Sequence, residues 1–364
     1  MTPRRDHVVL LVGTKKGGFV FTSDASRRHW KVSGPHLKGR EVYHMAYDGR
    51  TGDILASVIS NHWGPTVAKS KDLGVEWKES KTPPKFPKSS GLSVARLWHI
   101  RPGGEDDPGV VYAGVEPACL FRSEDNGDSW EVNEAMMNHR TRKKWQPGGG
   151  GLCLHTIIPN QQRPKRIHVA ISAVGTMRTE NGGESWEFQN KNVLADFNPE
   201  GGKYPVFGQC VHKLAVNPSN PDVIFQQSHC GVYRSDDAGE NWIDIRNNLP
   251  SRFGFPVAVD ANDEKRAYVA PLEGDFSRIP PGGHFAVWGT DNSGKEWFKL
   301  DAGIPVESYF TVLREGMVAD GEDPCGLYFG TTTGQLFTSA DQGNRWTKVT
   351  DGLPPILSVS VSGM

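Results

Sequence analysis

Four short apolar runs in this chain align with a histidine at one equivalent position near their start: Val42-Tyr43-His44-Met45, Leu97-Trp98-His99-Ile100, Leu154-His155-Thr156 and Val211-His212-Lys213. Neutral imidazole is the commonest protein ligand for zinc, iron, copper, manganese and nickel, so several histidines held near one axis would make a preorganised metal site. Two further histidines, His62 and His229, and three groups suited to proton transfer, Glu116, Glu273 and Lys16, fall at equivalent points between later strand pairs. The leading expectation is a divalent transition metal (zinc, manganese or iron) held among His44, His99, His155, His212, His62 and His229. Glu116, Glu273 or Lys16 would then serve as general acid or base in a hydrolysis or elimination. Cys153 and Cys210 each precede a histidine by two residues and share its side of a strand. Buried cysteine is ordinary in sheets, and thiolate ligation stays open. The plainer reading is that the histidines line a solvated channel or bond to backbone carbonyls of the neighbouring sheet.

What would position these residues is a repeat. The pattern Ser/Thr-x-Asp/Asn-x-Gly-x-x-Trp runs from Ser70 to Trp77, Ser123 to Trp130, Thr179 to Trp186, Ser235 to Trp242, Thr290 to Trp297 and Ser339 to Trp346, with a degenerate copy from Ser23 to Trp30. Trp-to-Trp spacings of 47, 53, 56, 56, 55 and 49 residues hold four short strands with their turns. The plentiful glycine (42), proline (25) and tryptophan (11) suit many short strands joined by turns. A strand pair precedes each box, and before that pair comes a short apolar stretch that should be the innermost strand. These stretches are Val42 to Tyr47, Leu97 to Arg101, Leu152 to Ile158, Val211 to Val216, Phe255 to Val259 and Phe310 to Leu313. The first repeat lacks such a stretch, whereas the tail Pro355 to Ser362 alternates as a strand should. The expectation is an all-β, seven-bladed β-propeller spanning residues 1–364 as one domain, with blade one completed by residues 355–363 and the open edges removed by closure. Long connections at Lys81 to Ser93, Asn133 to Gly151, Val193 to Gly208 and Gly274 to His284 should crowd one face, together with the hairpins that carry Lys16, His62, Glu116, His229 and Glu273.

The repeat resembles the Asp-box, or BNR repeat, of the sialidase-like propellers, and the likeness runs through the whole chain. In that family the box joins the third and fourth strands of a blade, its Asp ties up turn amides and its Trp wedges between blades. The resemblance implies glycosidase activity in the first instance. Sialidases of the superfamily, however, use an arginine triad whose first member sits in an aromatic-Arg-Ile-Pro motif ahead of the first box. Here the nearest match, Phe276-Ser-Arg278-Ile279-Pro280, lies in blade six with an extra residue, so true sialidase activity is not expected. The ring of histidines also looks like the ferrous site of the carotenoid-cleaving dioxygenases, and the mixture of histidine and acid like the manganese site of oligogalacturonate lyase. Both are likenesses of architecture only. Two alternatives stand beside the metal enzyme: a two-carboxylate glycoside hydrolase using Glu116 and Glu273, and a non-catalytic binding or assembly propeller.

Charge narrows the partners. Lysine plus arginine (41) nearly equals aspartate plus glutamate (42), so no global field draws the chain to nucleic acid or to a membrane surface. The dense basic stretch His139-Arg140-Thr141-Arg142-Lys143-Lys144-Trp145 could recruit an anionic substrate, although charge runs are usually solvated faces. The expected partner is a small molecule or saccharide, anionic or neutral. The apolar run Val8 to Val12 is too short for a span or a signal segment, and five cysteines without framework spacing read as reduced thiols. A cytoplasmic location is the expectation.

Overall fold

The computed structural model describes residues 7–60, 64–197 and 202–362. It consists of seven four-stranded antiparallel sheets arranged as a β-propeller. Among the described residues the α-helical content is one short helix, Glu134–Met137, and no helix is long and apolar enough to cross a membrane. From axis to rim, blade one runs Ile356–Val361, His7–Thr14, Gly17–Asp24 and Lys31–His36. The C-terminal tail therefore supplies the innermost strand of blade one, pairing from Leu10 with Val361 to Thr14 with Ile356.

Blades two to seven follow in chain order, with innermost strands Glu41–Asp48, Arg96–Pro102, Leu154–Pro159, Val211–Val216, Phe253–Val259 and Met317–Ala319. Blade seven departs from the sequence reading. Phe310 to Leu313 is irregular, and the strand begins at Met317, after a turn in which the Gly316 amide donates to the Leu313 carbonyl at 2.8 Å. The physical reason is that Phe310 is used for packing between blades, its ring 5.9 Å from Phe285 and 5.8 Å from Phe337.

The repeated turn closes on its own polar atoms. In blade three the Gly127 amide donates to Ser123 Oγ at 2.8 Å and the Ser129 amide to Asp125 Oδ1 at 2.8 Å. Gly127, at φ +84°, occupies a left-handed conformation that a side chain would strain. In the last three copies the closing tryptophan reaches back to the preceding blade: Trp242 Nε1 donates to the Gln189 carbonyl, Trp297 Nε1 to that of Ile245 and Trp346 Nε1 to that of Leu300. Each indole thus buries a large apolar surface between two blades while satisfying its one polar atom. In blade one, where the copy is degenerate, the joint is ionic. The Arg27 guanidinium, 8% exposed, meets Asp320 of blade seven at 3.2 Å and donates to the Pro324 carbonyl, while the Tyr328 hydroxyl donates to the same Asp320. This buried cluster stands at the point where the ring closes.

Candidate functional site

The inner strands share a local irregularity that decides where the histidines go. Register against the second strand shifts between Val42 and His44, between Leu97 and His99, between Leu154 and Thr156, and between Val211 and Lys213. The residues squeezed out by these shifts are Tyr43, Trp98, His155 and His212. A single extra residue exchanges the faces of everything before it. The four histidines therefore do not share one position, contrary to the sequence reading: His44 and His99 stand one residue past the bulge, where the next two blades have Thr156 and Lys213, while His155 and His212 occupy the bulge itself.

His44 and His99 come together, with ring centres 4.4 Å apart, around a carboxylate the sequence reading missed. Glu315 Oε2 stands 3.8 Å from His44 Nε2 and 3.9 Å from His99 Nε2, and it forms a salt bridge with the Lys213 ammonium. The other ring nitrogens are already used. His44 Nδ1 accepts from the Ile100 amide at 3.4 Å and His99 Nδ1 from the Ile157 amide at 3.2 Å, each in the following blade. An imidazole that accepts at Nδ1 carries its proton on Nε2 when neutral. Although two imidazole nitrogens and a carboxylate lie within 4.8 Å of one another, a cation placed among them would meet two N–H groups and an ammonium. The cluster is a charge network that fills the axis. Burial first, then the field of Lys213 and Arg101, pushes His44 down to about 3, and burial holds His99 well below the ordinary range.

His155 is satisfied at both nitrogens, Nε2 donating to the Val211 carbonyl at 2.9 Å and Nδ1 lying 3.1 Å from Thr156 Oγ1. His212 is held the opposite way. Its Nδ1–H donates to the Gly254 carbonyl at 2.5 Å, which leaves Nε2 as the nitrogen with an uncommitted lone pair, in a side chain that clusters with Cys210 and His229. The six expected ligands thus separate: His44 with His99, His212 with His229, and His155 on backbone, while His62 lies outside the described residues.

The acid-base candidates sit at the mouth of the channel. Glu116 Oε2 accepts from the Trp98 indole at 3.0 Å and lies 3.9 Å from Arg96 Nη1. The Arg96 guanidinium stands 5.5 Å from both the Tyr43 and Trp98 ring centres and 3.4 Å from Glu41. The glycine run that links blades three and four comes down on the other oxygen of Glu116. Gly151 holds φ +93°, and a Cβ there would fall 2.2 Å from Oε1. Glu116 is one-quarter exposed. Glu273 follows strand Ala267–Leu272 of blade six and is exposed, as is Lys16 in the first hairpin of blade one. Blades three and six are separated by two blades in one direction and three in the other, so Glu116 and Glu273 belong to opposite sides of the ring.

Under this mouth lies Arg314, 92% buried, with its guanidinium 5.0 Å from the Trp98 ring and 3.6 Å from Cys153 Sγ. The sequence set Arg101 at the end of one inner stretch and Arg314 just past another without giving either a place on the axis, and Glu315 and Lys213 were missed. A usable signal existed: Lys213 directly follows His212 as Thr156 follows His155, a polar pair at the start of each strand. The basic stretch His139 to Trp145 is a folded element, with Trp145 buried, Met136 packed in the same core and the Arg142 guanidinium 4.7 Å from the Trp145 ring. A surface concavity of about 630 Å³ lies away from this mouth, between the repeated turns of blades three and four, where Glu124, Asp125, Ser129 and Glu184 line it.

No family model matches the chain. A xyloglucanase from a Paenibacillus species is 29% identical over 156 residues, which is 39% of this chain and 15% of that enzyme. The chain therefore matches well under one-fifth of the length of that curated relative. Among solved structures, an ancestral GH74 enzyme superposes with a TM-score of 0.60 at 17% identity, covering 85% of this chain and 38% of the other. YCF48 bound to a D1 peptide superposes with a TM-score of 0.55 at 14% identity, covering 92% and 97%. These superpositions bear on the propeller fold.

Proposed function

We propose that the chain is a glycoside hydrolase of the Asp-box propeller class, which takes a polysaccharide across its loop-rich mouth and cleaves it with Glu116 and Glu273. The observation that carries the reading is the way Glu116 is held: one carboxylate oxygen is fixed by the Trp98 indole, and the other faces the close backbone of Gly151 at a partly open position. A carboxylate pinned by a buried aromatic could work with Glu273 as the second carboxylate that glycosidic cleavage needs across the bound sugar. One group gives a proton to the leaving oxygen while the other assists attack at the anomeric carbon. The sequence likeness to a xyloglucanase supports the choice of a glycan as substrate. A metal held by the four-histidine ring has no part in this reading, because His44, His99 and His155 spend ring nitrogens on backbone of the next blade.

The test is release of reducing ends from xyloglucan and from a panel of neutral and acidic polysaccharides. Wild-type protein releases them, and Glu116→Gln and Glu273→Gln each lower kcat by about 10²–10⁴-fold, the usual share of acid-base catalysis. Full activity in Glu116→Gln refutes the assignment of that residue. Binding of glycan by the wild type without cleavage refutes the hydrolase and leaves a binding module.

A further inference from the structure

Blade five brings a thiol and two imidazoles to one place. Cys210 and His212 flank Val211, the first residue of strand Val211–Val216, and His229 lies in the turn between strands Ile224–Ser228 and Gly231–Ser235. The His229 amide donates to the Cys210 carbonyl at 2.9 Å, so turn and strand start are fastened together. One ligand atom from each of the three side chains lies within 4.8 Å of the other two. We propose that Cys210, His212 and His229 form a zinc site at the mouth of the channel, with three protein ligands and a fourth position open to solvent.

The hydrogen bonding around the cluster is what separates it from His44 and His99. His212 donates Nδ1–H to the Gly254 carbonyl, which fixes the tautomer with its lone pair on Nε2 and its ring orientation set by blade six. A metal-bound histidine almost always has its other nitrogen tied in this way to a backbone carbonyl or carboxylate. The Ala173 amide bonds to the Cys210 thiol, but among the described residues no lysine ammonium is bound to these three side chains, in contrast to the salt bridge on Glu315. Burial raises the Cys210 thiol above its usual range, and Arg314, facing it from blade seven, with Ser172 Oγ 3.9 Å from Sγ, offsets part of that rise.

The surroundings suit a metal with a partly shielded shell. Phe253 packs edge-on against both His212 and His229, at 5.2 and 5.1 Å, Phe197 against His229 at 5.1 Å, and Phe255 lies 4.9 Å from His212. On the solvent side Asp275 Oδ2 stands 3.9 Å from His229 Nε2 and is 62% exposed. It can pair with His229 or with a metal-bound water. Neighbouring Cys230 is committed elsewhere, donating to Asp196 at 3.0 Å. One thiolate with two imidazoles is a donor set for zinc and not for magnesium or calcium, which take oxygen. Bonds of about 2.0 to 2.3 Å would draw the three atoms to roughly 3.5 Å from one another, a closure within reach of side-chain rotation.

The test uses full-length protein made without a histidine tag, stripped with chelator and titrated with Zn²⁺ and separately with Co²⁺. Wild-type protein binds one equivalent, and the cobalt form shows the sulfur-to-metal charge-transfer band of a thiolate ligand. Cys210→Ser removes that band, and Cys210→Ser and His229→Asn each weaken zinc binding at least tenfold. His44→Gln, which sits in the axial network, leaves both readings unchanged. His229 lies in a turn, so His229→Asn keeps the test decisive if Cys210→Ser folds poorly. Absence of stoichiometric binding in the wild type, or a charge-transfer band that survives Cys210→Ser, overturns the site. The glycan assay is separate: loss of zinc binding in these variants bears on this site, and loss of cleavage in Glu116→Gln bears on the hydrolase.

Discussion

Acid should unfold this propeller earlier than its carboxylates alone would require. His44, His99, His155 and His168 are buried, and burial pushes every one of them down: His44 to about 3, His168 to about 4, and His99 and His155 well below the ordinary range. In the unfolded chain each returns to about 6.5. Below that pH the unfolded state binds more protons than the folded one, so the stability these groups contribute is present above pH 6.5 and lost as pH falls. By linkage each imidazole costs about 1.2 kcal/mol between pH 7 and pH 5.5, and the four together about 5 kcal/mol. That is comparable with the whole stability of many domains. The assay is urea unfolding in chelator at half-unit steps from pH 7.5 to 5, converted to free energy with the measured slope. Near pH 5.5 these four should contribute uptake of nearly four protons to the slope, and His212, held down to about 3 chiefly by burial, about one more. In His168→Gln, whose amide can still donate to the Ala238 carbonyl that His168 now serves, it should fall by about one. A curve that stays flat to pH 5.5, or one that His168→Gln leaves unchanged, would refute the reasoning.

Other outcomes follow from single contacts. Arg27→Ala leaves Asp320 buried without its cation at the ring closure, and urea unfolding should show a loss of about 3–5 kcal/mol, the usual cost of breaking a buried ion pair. Asp125→Ala removes the acceptor of the Ser129 amide and hydroxyl, and a melting curve should record a loss of about 1–2 kcal/mol, as for a lost cap. Gly151→Ala would drive a Cβ onto Glu116 Oε1 at 2.2 Å. Glycan cleavage should fall by at least tenfold, while the melting temperature moves no more than the strained φ alone demands.

The fold was legible because the repeated turn is a local device. Ser123, Asp125, Gly127 and Trp130 recognise one another within eight residues, so their spacing shows the blade count directly, and the C-terminal strand was visible from its alternation. The site was less legible because it depends on register. One extra residue at the start of each inner strand decides whether His44 or Tyr43 faces the axis, and nothing local in Val42-Tyr43-His44 marks the shift. Blade seven hid its contribution for a related reason. Phe310 to Leu313 has the composition of a strand but packs as a plug, so Arg314 and Glu315 entered the axis from a stretch read as a strand end. Glu116 keeps its expected place at the end of strand Val111–Glu116 because hairpin position survives such slips.

The most direct test is a crystal structure of Glu116→Gln soaked with a xyloglucan oligosaccharide. The proposed hydrolase requires sugar density at the mouth, over Trp98 and Arg314 and between Gln at position 116 and Glu273. Density confined to the outer concavity beside Glu124 and Glu184, or no bound sugar in the presence of millimolar ligand, would contradict it.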